Sequence, residues 1–320
     1  MTAINFEKGK VSILIPVYNR EFLLGECIES ALAQNYSNFE VIIVDNASTD
    51  KTWEVCQEWA RKDHRIKIHR NSENIGPVRN WDRCIQEATG QFTKILFSDD
   101  KLMSDCTSKM VDTFLTTECS LVFSAALIGE SEDASKVCYQ QQNLSKFDQL
   151  QYINGILTGS LPVSPGAVLI ETTAARECLS LDFPTSKKQR YSAHGAGPDV
   201  MLILGAIGKG HAVAIEEPLC FFRAHPGSFS IGSMKTEVTD SYRSVIAWLL
   251  ATKYSKGYRD KYIAMEWLRQ IKLRKTWISP RNFSMTFEGN GDLYEAIRMI
   301  ANAMIYMKNK VLGIPLNIQS

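Results

Sequence analysis

The chain reads as an α/β fold: a doubly wound, mostly parallel sheet flanked by helices and followed by a C-terminal helical extension. Three observations lead there. Short runs of β-branched and aromatic residues recur through the first 125 positions. Stretches with helical spacing separate these runs, and strand–helix alternation of this kind builds βαβ units. From about residue 233 the strand-like runs cease and only helical texture remains.

The first run, VSILIPV over 11–17, and the second, FEVIIVD over 39–45, are dominated by apolar residues. That is the pattern of strands buried on both faces. Residues 66–69, 92–97 and 121–125 continue the series, and helices are predicted over 21–34, 51–62, 77–89 and 105–117. Asp50 and Ser104 are N-cap candidates, Pro77 suits a first helical position, and Gly90 suits a helix C-terminus. After residue 125 the rhythm breaks. Residues 129–143 read as a loop or short hairpin, 147–157 as a helix and 166–170 as a strand. Residues 184–197, with Lys187, Lys188 and Arg190, form a candidate mobile loop. An apolar helix over 198–208 opens with Pro198-Asp199, and two closing strands follow at 211–215 and 218–223. Helices over 240–256, 258–277 and 292–310 complete the chain. The change of texture divides a domain over 1–232 from an extension over 233–320, which reads as an appendage as readily as an independent domain.

A length of 320 residues suffices for a substantial core. Lys and Arg number 36 against 35 Asp and Glu, a formal charge of +1. Nucleic acid is therefore not an expected partner, and any electrostatic argument rests on local clusters. The eight cysteines include no Cys-x-x-Cys pair and read as reduced thiols. No stretch approaches the roughly 20 apolar residues of a membrane span. The run at 11–17 is too short for a secretory core. The expectation is a cytoplasmic protein, at most peripheral to a membrane.

The chemistry concentrates at strand ends. The fourth predicted strand runs into Phe97-Ser98-Asp99-Asp100. Adjacent carboxylates there either cap the next helix or hold a divalent cation, which relieves their mutual repulsion. The first strand leads into Pro16-Val17-Tyr18-Asn19-Arg20 and the second into Asp45-Asn46-Ala47-Ser48-Thr49-Asp50. The third is followed by Asn74-Ile75-Gly76-Pro77-Val78-Arg79-Asn80. In a doubly wound sheet the carboxyl ends of sequential strands converge on one crevice. A tyrosine, several carboxylates and an arginine there suit a nucleotide. No glycine-rich dinucleotide or P-loop fingerprint follows the first strand.

Taken together, VSILIPVYNR, VIIVDNASTD, NIGPVRN and the acidic step resemble the family 2 inverting glycosyltransferases of GT-A fold. The resemblance covers residues 11–125 strongly and 160–230 weakly. It implies an enzyme moving a sugar from a nucleotide-sugar donor to a glycan acceptor, plausibly lipid-linked, in bacterial surface polysaccharide synthesis of the capsule or O-antigen kind. It implies a divalent metal, Mg²⁺ or Mn²⁺. On the matching positions, Pro16, Tyr18 and Asn19 would border the base, Asp45 would bond base or ribose, and Arg79 would lie near base or diphosphate. Asp99 would hold ribose, and Asp99 and Asp100 the metal. The chain departs from the family's Asp-x-Asp by placing Phe97 where the first acid is expected.

The resemblance also implies a carboxylate base at the start of a helix in the second half of the domain. Asp199 fits, being the only acid between Asp182 and Glu216; the alternative is a charge that merely favours its helix N-terminus. Phe222-Arg223-Ala224-His225 resembles the family's closing segment, where His225 would be a third metal ligand or an ordinary turn residue. His194 could meet acceptor or diphosphate. In the extension, basic residues interleave with aromatics from Tyr242 to Lys275. This face either rests on anionic lipid or packs on the catalytic domain with its charges solvated. The last helix could cover that domain or pair with a second subunit, giving a homo-oligomer. A sugar nucleotidyltransferase and a catalytically idle nucleotide-sugar-binding protein are the competing functions.

Overall fold

Successive residues of the first strands serve two separate apolar layers, which explains their unbroken hydrophobicity. In β1 (Glu7–Val17) and β2 (Phe39–Asp45), Leu14, Ile42 and Val44 join one core cluster, while Ile13, Ile15, Val41 and Ile43 join the other. Burying such a side chain contributes roughly 1.5–3 kcal/mol, so both layers hold the sheet. The computed structural model describes residues 6–183, 191–225, 235–274, 300–305 and 307.

In chain order, α1 (Leu24–Leu32) lies between β1 and β2. It is followed by α2 (Thr52–Lys62), β3 (Ile66–Arg70), α3 (Pro77–Glu87), β4 (Gly90–Ile95), β5 (Lys101–Leu102), α4 (Cys106–Thr116) and β6 (Leu121–Gly129). Then come β7 (Ser135–Cys138), β8 (Lys146–Phe147), α5 (Gln149–Thr158), β9 (Val168–Glu171) and α6 (Thr172–Cys178). The remaining elements are α7 (Tyr191–His194), α8 (Pro198–Ile207), β10 (Ala212–Arg223), α9 (Lys235–Leu249) and α10 (Lys256–Arg274). The sheet order is β3-β2-β1-β4-β9-β6-β10-β5, with β7 beside β6 and β8 beside β10. The long pairings, β2 with β3, β1 with β2, β1 with β4 and β6 with β10, are parallel. Helices α1, α2 and α4 supply one layer and α3, α5, α8, α9 and α10 the other.

Differences from expectation have local causes. Strand β9 sits between β4 and β6 antiparallel to both, an orientation that periodicity cannot report. The two predicted closing strands are one, β10, with a pairing irregularity between Ile215 and Pro218. Gly90 does not end a helix; it begins β4, where an added Cβ would lie 2.6 Å from the Lys10 carbonyl oxygen. Ser104 is not the cap of α4: the N-cap position is Asp105, and Gln34 Oε1 accepts from Thr107 N at 2.9 Å. Asp50 is likewise one position before the N-cap of α2, which is Lys51, although its Oδ1 accepts from Thr52 N at 3.0 Å. Residues 129–143 contain a hairpin, with β7 paired antiparallel to β6. Residues 184–190 of the predicted loop lie outside the described residues, whereas 191–194 are helical. The predicted helix at 292–310 is described only at 300–305 and 307, where it is helical. Val245, Leu250 and Ile263 of the extension share an apolar cluster with Leu202 of α8 and Leu14 of β1. Among the described residues, no helix is long and apolar enough to cross a membrane. All eight cysteines are free.

One buried acid ties β2 to β1, to β3 and to the residue that precedes β4. Glu40, 2% exposed, accepts from Ser12 Oγ at 2.7 Å, Thr89 N at 2.9 Å and Lys67 Nζ at 2.6 Å. Burial alone would raise its carboxyl, but these donors outweigh it and hold the group at about 2. A depressed carboxyl adds stability above its ordinary value of 4.5, and loses it as pH falls toward 2. Glu40→Ala should therefore cost about 2 kcal/mol or more at pH 7 and much less near pH 3. Urea unfolding at the two pH values measures the difference.

Candidate active site

A cleft of about 620 Å³ opens at the carboxyl ends of β1, β2 and β4. Pro16, Tyr18, Asp99, Asp100 and Asp199 all border it. Asn19, Asp45, Arg79 and His225 do not line it directly. The parallel register brings these segments together, pairing Pro16 with Val44 and Leu14 with Ile95.

The first two loops lock onto each other. Asn19 takes φ 51°, a left-handed conformation that asparagine tolerates. Its N–H donates to Ser48 Oγ at 2.9 Å, and its side-chain oxygen accepts from Thr49 N at 2.9 Å. Tyr18, 40% exposed, is left at the mouth of the cleft. Asp45 lies below, fully buried, accepting from Ser48 N at 3.2 Å and facing Arg70 Nε at 3.0 Å. Arg79 is exposed on α3, while its neighbour Asn80 turns inward.

Sequence reasoning missed an asparagine cluster between these loops. Asn71 Nδ2 donates to Asn46 Oδ1 at 2.9 Å and to Asn80 Oδ1 at 2.8 Å. Asn46 donates in turn to Asn74 Oδ1 at 2.9 Å. Asn80 Nδ2 donates to the Val44 carbonyl at 3.0 Å, anchoring the cluster to β2. Satisfied buried networks of this kind rigidify a site. The density of Asn in 71–80 is the signal that could have found it.

At the end of β4 the chain turns, Asp100 N donating to the Phe97 carbonyl at 2.9 Å. Phe97 packs on Trp81 with ring centroids 5.5 Å apart, an apolar wall where the family pattern has an acid. Asp99 Oδ2 stands 3.0 Å from His225 Nε2 and 3.8 Å from Arg20 Nε. Asp100 Oδ1 accepts from Arg223 N at 2.9 Å, and Arg223 Nε donates to the Asp99 carbonyl at 3.1 Å. Burial first, then the Asp99 charge, push the Asp100 carboxyl well above its ordinary range. Among the described residues, no three His, Cys, Asp or Glu side chains converge as a metal cluster. The Asp99 carboxylate is nonetheless the donor type that a hard cation such as Mg²⁺ takes, together with substrate phosphates and water.

Across the cleft, Gly195-Ala196-Gly197 forms a tight turn between α7 and α8. Gly195 and Gly197 have φ +77° and +108°, and added Cβ atoms would meet Trp81 Cη2 at 2.3 Å and Tyr191 Cδ1 at 2.9 Å. Only glycine fits both the conformation and the space. The turn presents Asp199, 7% exposed, in the first turn of α8. Its Oδ1 accepts from Gly197 N at 2.8 Å and Val200 N at 2.6 Å, and its Oδ2 from Tyr242 Oη at 2.6 Å. Burial pushes the carboxyl up to about 7, against the opposing pull of these hydrogen bonds. His194 is buried beside it, with Nδ1 accepting from Ala196 N at 3.1 Å and Nε2 3.3 Å from Ser241 Oγ. The site thus holds a strand-end acid–histidine pair and, apart from it, an isolated buried carboxyl with a near-neutral pKa.

Comparison with known proteins bears on the family and the fold. Residues 12–165 match the family described as "Glycosyl transferase family 2". The chain is 34% identical over 103 residues to the "GalNAc(5)-diNAcBac-PP-undecaprenol beta-1,3-glucosyltransferase" of Campylobacter jejuni, covering 32% of this chain and 33% of that protein. It is 25% identical over 232 residues to the "UDP-Glc:alpha-D-GlcNAc-diphosphoundecaprenol beta-1,3-glucosyltransferase WfaP" of Escherichia coli, covering 72% and 84%. Other curated relatives are matched over only 31%, 14% and 42% of their lengths. The fold is that of S. aureus TarS 1-349, solved in complex with UDP-GlcNAc, with TM-score 0.67, 17% identity, and 95% and 92% of the two chains covered.

Proposed function

Residues 12–165 of this chain belong to glycosyl transferase family 2, and on that premise we propose that the protein is an inverting glycosyltransferase. It takes a UDP-hexose as donor and a sugar linked to a lipid diphosphate as acceptor. The observation that carries the reading is the pairing, within one cleft, of Asp99 at the end of β4 with the buried Asp199 at the start of α8. The names of the Campylobacter and Escherichia relatives support the acceptor class, and that of the Escherichia relative the UDP-hexose donor.

In this reading the acceptor hydroxyl lies against Asp199 Oδ2. As its oxygen attacks the anomeric carbon, its proton passes to Asp199. The C–O bond to the diphosphate breaks on the opposite face, its electron pair leaving with the nucleoside diphosphate. A carboxyl raised to about 7 is a base matched to neutral pH. Tyr18 stacks at the base end and the asparagine cluster keeps the loops around the donor in place. Asp99 and His225 would hold a divalent cation, with Asp100 behind them. When bound, that cation offsets the charge that builds on the departing diphosphate. In this reading residues 1–232 are the catalytic unit, and α9, at the start of the extension over 233–320, flanks Asp199 on its acceptor side. A peripheral position at the inner face of the cytoplasmic membrane follows from the acceptor class.

A panel of UDP-, GDP- and dTDP-sugars, with Mg²⁺ or Mn²⁺ and a lipid-diphosphate-linked sugar, tests this. Acceptor-dependent release of UDP from a UDP-hexose is expected. Pyrophosphate release would point to nucleotidyl transfer instead, and tight nucleotide binding without turnover would overturn the catalytic reading.

A further inference from the structure

The base is completed by the helical extension. Helix α9, beyond the division at residue 233, places two consecutive side chains on the catalytic face. Ser241 Oγ meets His194 Nε2 at 3.3 Å, and Tyr242 Oη donates to Asp199 Oδ2 at 2.6 Å. His194 Nδ1 already accepts from Ala196 N, so the neutral ring carries its proton on Nε2 and donates to Ser241. Tyr242 borders the cleft itself. Asp199 Oδ1 is saturated by two backbone donors, which leaves Oδ2 as the oxygen that faces substrate. Among the described residues, the side-chain donor on that oxygen is the Tyr242 hydroxyl.

We propose that Tyr242 is a positioning residue for the transfer reaction: its hydroxyl aims Asp199 Oδ2 and keeps the carboxylate available in a buried site. The proposal rests on Asp199 being the base. A buried carboxylate without a donor is costly, and a charge-assisted hydrogen bond from a phenol is short and strong. The second lone pair of Oδ2 remains open to an acceptor proton. The titratable groups around this carboxyl are Tyr242 on α9, Tyr139 after β7, which faces Tyr242, and His194 on α7. Tyr242 thereby makes the extension part of the catalytic machinery and not only a cover for it.

The test compares wild type, Tyr242→Phe and Asp199→Asn with UDP-glucose as donor. Tyr242→Phe should lower kcat about tenfold or more, since one charge-assisted bond is lost, with KM for UDP-glucose unchanged. The acidic limb of its kcat–pH profile should move up by about one pH unit, because the bond favours the ionised form. Thermal unfolding supplies a readout independent of turnover: Tyr242→Phe should lower Tm more at pH 8, where Asp199 is ionised, than at pH 5. If Asp199→Asn is inactive while Tyr242→Phe keeps wild-type kcat and an unmoved limb, the positioning role is overturned and the base stands. If Asp199→Asn remains active, the base reading itself fails. An equal Tm loss at both pH values would overturn the proposal whatever the turnover.

Discussion

Asp199→Asn is expected to lower kcat by about 10³-fold, within the range that a positioned base supplies, while making the fold more stable in alkaline solution. The first effect follows from removing the acceptor of the substrate proton. The second follows from burial. Asp199 in the folded chain is raised from 3.8 to about 7. Its contribution to stability is fully present below the unfolded value and is lost as pH rises through about 7. Holding the group ionised in the fold then costs on the order of 2–4 kcal/mol, because each tenfold change in proton affinity is worth about 1.4 kcal/mol. Asparagine is nearly isosteric: its oxygen can accept from Gly197 N and Val200 N, and its amide can donate to Tyr242 Oη. The variant should melt a few degrees higher than wild type at pH 8 and no higher near pH 3, below the unfolded value of the carboxyl. Steady-state kinetics with the best donor, alongside calorimetry at the two pH values, measure both effects. A variant that loses activity and stability together would mean that Asp199 serves the helix N-terminus and not the reaction.

Asp99→Ala is expected to abolish most of the metal dependence of donor binding. The change removes the carboxylate oxygen that stands 3.0 Å from His225 and 3.8 Å from Arg20. It leaves the asparagine cluster and Tyr18 untouched. Affinity for UDP in the presence of Mn²⁺ should fall at least tenfold and kcat about a hundredfold, which is roughly 1.4 and 2.7 kcal/mol. UDP affinity without metal should change little. Titration calorimetry with UDP, with and without Mn²⁺, reads this directly. Asp100→Asn is the informative partner. Because burial and the Asp99 charge raise the Asp100 carboxyl, and an asparagine oxygen can still accept from Arg223 N, that change should leave Tm at neutral pH unchanged or higher and alter the response to Mn²⁺ less than Asp99→Ala does. Equal loss of UDP affinity with and without Mn²⁺ in Asp99→Ala would assign Asp99 to the nucleotide alone.

Much of this site can be read from local sequence. Pro16, Tyr18, Asp99 and Asp100 reach the cleft because each closes a strand whose apolar run is visible in isolation. Asp199 is visible as a lone acid behind Pro198 in an apolar segment. Arg79 is legible as a helical residue but not in its direction: α3 turns Asn80 and Trp81 inward and leaves Arg79 in solvent. Asp45 is visible as a strand-end acid, whereas its burial under the Asn19–Ser48 contact and its pairing with Arg70 depend on three separate segments. Phe97 reads as a gap in an acidic motif; in the fold it is a wall packed on Trp81.

Sequence by itself determined β1, β2, β3, β4 and β6, the helices between them and the loops at their carboxyl ends. Those depend on apolar runs and cap residues within a few positions of each other. Only the tertiary structure decided the reversal of β9, the seating of α9 against α8, and the state of Asp199. That carboxyl is raised by burial and aimed by Tyr242, forty-three positions away. The physical reason is that burial sums contributions from every neighbour in space, and no local pattern carries that sum.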